Sequence, residues 1–212
     1  VNVWDPRTLK LVDSYSPHDK SLYGTAVSKD GLVAVGGNGK EAIVYDLSKK
    51  KEIVRLRFDD STPRYVKFTP DGNRLVLGTT NGTIEVYSTA DWKSLKQMKA
   101  PESITNLSIS ADGKNLLAGG INGTVTMWDL ERYELKHKLI GHRAAVFGID
   151  FHPSGQRAVT VGYDQNVKVW DTNTGKLLIT IRGFENNLYC AGFFNEGKSL
   201  LVTQTNGIVN IL

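Results

Sequence analysis

Cysteine is nearly absent from the chain, with Cys190 standing alone in 212 residues. One thiol can form neither an internal disulfide nor a cysteine zinc cluster, which fits a reducing compartment. No base or acid partner marks Cys190 as reactive, so it is expected to be a small buried hydrophobe. Long apolar runs are also missing, and nothing approaches the roughly 20 residues that span a bilayer. The opening residues VNVWDPRTLK lack the pattern of a signal peptide. Neither membrane insertion nor secretion is expected, and the location expected is inside the cell, in cytoplasm or nucleus. Helical periodicity is lacking too: no segment of roughly 10–15 residues repeats its apolar side chains every 3.6 positions, so crossover helices are not expected.

The motifs of metal and nucleotide chemistry are absent. His18, His137, His142 and His152 match neither H-E-x-x-H nor zinc-finger spacing. There is no G-x-x-x-x-G-K-[ST] loop, and the glycines of GLVAVGGNGK lie between strands rather than before a helix. Asp150 has no evident catalytic partner in the sequence. No cofactor, no metal and no enzymatic activity are expected. Charge of one sign is scarce as well. Lys and Arg exceed Asp and Glu by only four, the two signs are interspersed, and there is no basic tail. Such an excess favours nucleic acid or an acidic protein without establishing either. The densest basic run, Lys49 to Lys51, is followed at once by Glu52 and reads as a solvated turn.

What the chain does have is a repeat. Aromatic-polar pairs recur at Trp4-Asp5, Tyr45-Asp46, Tyr87-Ser88, Trp128-Asp129 and Trp170-Asp171, spaced 41, 42, 41 and 42 residues apart. Turn pairs at Asp30-Gly31, Asp71-Gly72, Asp112-Gly113, Ser154-Gly155 and Glu196-Gly197 keep the same register. A third ladder runs through Asn38-Gly39, Asn81-Gly82, Asn122-Gly123, Asp164-Gln165 and Asn206-Gly207. Within a unit, AVFGIDF, RAVTV, VKVW and TGKLLITI read as four short strands separated by Gly, Asn, Asp and Pro, the grammar of antiparallel hairpins. Such a sheet cannot bury both apolar faces alone, but sheets stacked around an axis cover one another.

With these ladders the chain resembles the WD40 family over essentially its whole length. The resemblance implies an all-β fold: a WD40 β-propeller of about five consecutive repeats, part of a larger, commonly seven-bladed ring. Residues 1–212 form one propeller region. Residues 1–16 supply the third and outer strands of a preceding blade. Whole blades fall at 21–59, 61–100, 103–140 and 144–182, and an incomplete blade at 188–212. In the fourth full unit Gly141-His142, Asp164 and Trp170-Asp171 take the family spacing, with Thr160 at its Ser/Thr place. The family pattern implies a structural hydrogen-bond network through His142, Thr160 and Trp170, with Asp164 fixing the turn beside His142. The other units carry Asn81, Asn122 and Asn206 where this one has Asp164, and no histidine precedes their inner strands.

The family's small face, around the central channel, is a frequent docking surface. Its positions fall at Tyr23, Arg64, Thr105, Phe147 and Tyr189, where inner strands begin, and at Gly37, Thr80, Ile121, Tyr163 and Thr205, before the turns. The partner-binding candidates are Tyr23, Arg64, Arg143, Phe147, Tyr163 and Tyr189, aromatic anchors beside charge-assisted donors. For Phe147 the competing role is packing between blades. Trp92, in the irregular STADWKSLKQ segment, is expected to cover a blade edge, and Trp4, Trp128 and Trp170 to be core residues. The function expected is a non-enzymatic scaffold binding one or more proteins of a larger assembly. The alternative is RNA binding or ribonucleoprotein assembly through the basic and aromatic surface.

Overall fold

The computed structural model describes residues 1–16 and 20–212; His18, one of the four histidines weighed above, lies outside them. The described chain is built from antiparallel strands. A first sheet pairs β1 (Asn2–Trp4) with β2 (Leu11–Ser14). The next holds β3 (Leu22–Val27), β4 (Leu32–Gly37), β5 (Glu41–Asp46) and β6 (Lys51–Arg57), and is followed by β7 (Pro63–Phe68), β8 (Arg74–Thr79), β9 (Thr83–Ser88) and β10 (Ser94–Lys99). Then come β11 (Ile104–Ile109), β12 (Asn115–Gly120), β13 (Val125–Asp129) and β14 (Glu134–Leu139). The last four-stranded sheet has β15 (Val146–Phe151), β16 (Arg157–Gly162), β17 (Val167–Asp171) and β18 (Leu177–Ile181). β19 (Leu188–Phe194), β20 (Ser199–Gln204) and β21 (Val209–Ile211) complete the series. The helical content among the described residues is one 3-10 turn at Asn195–Gly197.

Each sheet is a meander, every strand pairing with its sequence neighbour, because three- to six-residue turns carry the chain straight back. The Gly of each Asp-Gly or Ser-Gly turn has positive φ, as at Gly72 (76°) and Gly113 (72°), a conformation that costs a side-chain-bearing residue energy. Strands β4, β8, β12 and β16 are buried along most of their length. They lie mid-sheet, so their side chains meet a neighbouring sheet on both faces.

The core is therefore not one cluster but a series of interfaces between consecutive sheets. Val44, Leu56, Val66 and Leu75 pack together across the β3–β6 and β7–β10 sheets. Val86, Met98, Leu107, Leu116 and Trp128 join the following pair. Met127, Leu139, Ile149 and Trp170 join the next, and Val161, Val167, Leu188 and Val202 the last. Polar clasps reinforce the apolar contacts. The Arg74 guanidinium donates to the carbonyls of Leu130, at 2.5 Å, and Gly113, at 3.3 Å, in the neighbouring sheet. The innermost strands β3, β7, β11, β15 and β19 contact one another in order, and all five line a single cavity of about 260 Å³. That is the arrangement of propeller blades around an axis. The ring is not closed by the described strands: β2 pairs with β1 and leaves the outer edge of β21 without a fourth strand.

Two sequence expectations change here. Trp4 is 56% exposed, whereas Trp128 and Trp170 are buried, because no further sheet packs against the outer side of the β1–β2 pair. Cys190 is exposed rather than buried. A bulge between Leu188 and Cys190 inserts one residue, so Tyr189 and Cys190 both face away from the core before Ala191 turns inward. Trp92 packs against the apolar cluster of the β3–β10 interface, with φ of 58° at the turn that places it.

Inner strands approach so closely that glycine is needed at their crowded points. A Cβ at Gly148 would lie 2.6 Å from the Ala191 amide nitrogen and 2.5 Å from Val161, while one at Gly192 would meet nothing nearer than Asp150 at 3.7 Å. Gly148→Ala is expected to lower unfolding free energy by about 1–3 kcal/mol, and Gly192→Ala by less than about 0.5 kcal/mol. Urea unfolding of the two variants checks the contrast; equal effects would show that the strands move apart freely.

Candidate functional site

Every inner strand carries the same irregularity at the same height. The pairing register shifts between Leu22 and Gly24, Pro63 and Tyr65, Ile104 and Asn106, Val146 and Gly148, and Leu188 and Cys190. The extra residues are Tyr23, Arg64, Thr105, Phe147 and Tyr189. A bulge frees one residue from the ladder and re-aims its side chain. Five bulges in register therefore set five side chains around the mouth of the channel on one face of the blades.

Four of the five are available at that face. Tyr23 and Tyr189 are about half exposed (49% and 50%). Arg64 lies over the Tyr23 ring, 4.9 Å from its centroid. It also donates to Asn38 Oδ1 at 3.0 Å, and Asn38 donates weakly to the Tyr23 hydroxyl at 3.4 Å. Phe147 sits between two other rings, tilted against Tyr163 at 4.6 Å and stacked on Tyr189 at 5.4 Å. Such pairs add about 0.5–1.5 kcal/mol each beyond burial. The fifth, Thr105, is buried, and its hydroxyl donates to the carbonyl of Val146 in the next blade. Asn106 does likewise to the carbonyl of Phe147 at 2.6 Å. Below the ring, Tyr65, Lys67 and Asn106 line the cavity, and burial pushes the Tyr65 phenol up to about 12.

The second group surrounds the turn before β15. Trp170 Nε1 donates to Thr160 Oγ1 at 2.8 Å, and Thr160 Oγ1 lies 2.8 Å from His142 Nε2. His142 Nδ1 is 2.8 and 3.0 Å from the two Asp164 oxygens. A chain of donors runs consistently from indole to hydroxyl to imidazole to carboxylate, with the His142 Nδ1–H donating to Asp164. Asp164 also accepts the Arg143 amide at 3.1 Å, which fixes the loop, while the Arg143 side chain is exposed. The geometry ties β16, β17 and the turn before β15 into one unit. His142 and Thr160 are buried and fully partnered, and neither is presented to a substrate.

The other blades anchor the equivalent loops by different side chains. Glu102 accepts the amides of Asn122 at 2.5 Å and Thr124 at 2.9 Å. Asn81 accepts from Thr79 Oγ1 and the Thr83 amide. Gln204 accepts the Asn186 amide at 3.2 Å. Glu102 and Gln204 escaped the sequence reading because neither stands at a ladder position, and only the packing brings each to its turn. Asp150, passed over in the sequence, lies between blades: it accepts the Phe193 amide at 2.9 Å. Burial raises its pKa, against the attraction of Lys67.

Comparison with known proteins agrees with this geometry. The family model described as Vps8 beta-propeller matches residues 68–187, more than half of the chain. WD repeat-containing protein VIP3 of Arabidopsis thaliana is 25% identical over 178 residues, covering 76% of this chain and 56% of that protein. Protein groucho of Drosophila melanogaster is 28% identical over 221 residues, covering 100% of this chain and 30% of that protein. Periodic tryptophan protein 2 of Arabidopsis thaliana is 23% identical, covering 98% and 24%. The chain thus spans between 24% and 56% of the length of these relatives.

The Asp164 site has a measurable signature. Burial alone would raise this carboxyl, but the hydrogen bond and attraction of His142, with the Arg143 amide and Asn166, outweigh it and hold the pKa at about 2. A folded-state pKa below the unfolded value contributes stability that is present above about pH 4 and lost as pH falls toward 2. The contribution is at most about 2 kcal/mol, since solvent screens part of the interaction. Asp164→Asn is expected to lower stability at pH 7 and flatten the acid branch of the stability–pH curve, measured by denaturant unfolding between pH 2.5 and 7. An unchanged acid slope in the variant would mean that Asp164 does not supply it.

Proposed function

Because the chain belongs to the WD40-repeat β-propeller family, we propose that it is a non-enzymatic scaffold that binds partner proteins within an intracellular multiprotein complex. The observation that carries this reading is the set of bulges in register, which hold Tyr23, Arg64, Phe147 and Tyr189 around one channel mouth. Half-exposed aromatic rings beside a guanidinium are the side chains that dominate protein interfaces. Paired residues flank each bulge along its strand, so little ordering cost falls on binding. Tyr163 and Arg143, on neighbouring turns, extend the same surface.

Nothing in the arrangement asks for bond chemistry. The His142–Asp164 pair resembles a catalytic dyad by composition, but its free ring nitrogen is occupied by a buried threonine. The single exposed thiol, with neither a disulfide partner nor a second cysteine, fits a reducing interior. Among the described residues no helix is long and apolar enough to cross a membrane.

The reading is tested by affinity capture of the natural protein from cell extract with nuclease present, comparing wild type with a Tyr23→Ala/Tyr189→Ala variant of unchanged melting temperature. A defined protein set is expected on the wild type and depleted about tenfold or more on the variant. Equal recovery on both would place the interface elsewhere. Loss of the whole set on nuclease treatment, with steep weakening as salt rises, would favour the RNA reading instead.

A further inference from the structure

The docking reading leaves the partner's chemistry open, and the charges around the channel narrow it. Two cations stand there: Lys67 in the cavity wall and Arg64 over the ring of Tyr23, which also lines the cavity. Arg64 Nε is sheltered and has no hydrogen-bond partner. Among the described residues, Lys67 ends in no ion pair or hydrogen bond. Two carboxylates of the surrounding loops are already engaged. Asp164 is held by His142 and the Arg143 amide, and Glu102 by the amides of Asn122 and Thr124. Asp150, the carboxyl that feels Lys67, accepts the Phe193 amide. The mouth of the channel is therefore aromatic, and its two cations outnumber the one carboxyl, Asp150, that acts on Lys67.

Size and ring geometry restrict what could enter. The cavity, at about 260 Å³, is below the roughly 300–1,000 Å³ of sites for whole small ligands, so it suits a single side chain. A nucleobase needs an open aromatic face to stack on. Phe147 touches Tyr163 and Tyr189, and Arg64 covers one face of Tyr23, so these rings are already partly occupied. A phosphate dianion draws clusters of arginine, whereas one arginine and one lysine beside a buried carboxyl match a singly charged group. A second cleft of about 360 Å³ opens beyond Tyr163 and Tyr189 toward Thr205 and Gly207.

We propose that the channel cavity receives an aspartate or glutamate side chain from an extended segment of a partner protein, with Arg64 and Lys67 as its cationic partners. An apolar residue of the same segment then rests against Tyr163 and Tyr189 in the adjoining cleft. The proposal rests on the docking reading above and goes further by fixing the partner's chemistry.

The test is selection of random dodecapeptides displayed on phage against the immobilised protein and three variants of matched melting temperature: Arg64→Gln/Lys67→Met, Arg64→Lys/Lys67→Arg and Phe147→Ala/Tyr189→Ala. On the wild type, selected peptides are expected to share one acidic position next to an apolar one. A synthetic peptide with that acid changed to its amide should bind about tenfold or more weakly. The acidic preference should vanish with Arg64→Gln/Lys67→Met, persist with Arg64→Lys/Lys67→Arg, and all selected binding should fall with Phe147→Ala/Tyr189→Ala. Peptides that need Phe147 and Tyr189 but show no acidic preference would overturn the proposal and leave the docking face standing. Peptides indifferent to all three variants would overturn both. A labelled twelve-nucleotide oligouridylate bound through Arg64 and Lys67, with no peptide selected, would overturn the proposal in favour of RNA.

Discussion

Neither face of a four-stranded blade can be left in water, and everything else in the molecule depends on how that problem is met. The middle strands β4, β8, β12 and β16 are apolar on both sides and buried over most of their length. Each blade therefore needs a neighbour on either side, and the hydrophobic clusters sit between blades rather than within them. Burial at about 25 cal/mol per Å² makes these interfaces the dominant stabilising term. Hydrogen bonds such as Arg74 to Leu130 and Thr105 to Val146 fix the rotation of one blade against the next. Packing density then requires glycine where inner strands meet, as at Gly148.

The same stacking produces the candidate site. Strands that converge on an axis crowd at their inner ends, and the bulge in each inner strand relieves the ladder there while turning one side chain outward. Because the blades repeat, the bulges repeat, and side chains 41 or 42 residues apart in sequence come to surround one cavity. The site is thus a consequence of the repeat, while its chemistry is not. Where the second blade offers Arg64, the third offers a threonine that bonds inward to Val146. Rigidity comes from the scaffold and chemical variety from five independently variable positions.

The blades also show how one mechanical need is met by different chemistry. Turns and loops at the channel end of the blades have amide groups that strand pairing does not satisfy, and side chains of several blades supply acceptors. Asp164 does so for Arg143 within a four-member network, while Glu102 does so for Asn122 and Thr124 without histidine or tryptophan. The family spacing was legible at His142, Thr160, Asp164 and Trp170 because these residues sit at fixed places on the ladders. Glu102 and Gln204 were not, since they reach the same kind of position from outside the motif.

The sequence by itself determined the strands, the turns and the blade period, because these are local. Alternation of apolar residues selects a strand, and Asn-Gly or Asp-Gly selects the turn that closes a hairpin. It also determined which residues stand at the inner-strand starts, through register alone. Only the tertiary structure decided what those residues do. A bulge shifts the two-residue alternation by one, which is why Cys190 faces outward beside Tyr189 although simple parity from Leu188 places it inside. The sandwich of Phe147 between Tyr163 and Tyr189, the stacking of Arg64 on Tyr23 and the tie between Asp150 and Phe193 join residues of separate strands, most of them in different blades. Those contacts depend on how far one blade rotates against the next, a quantity set by core packing and written in no single segment of the chain.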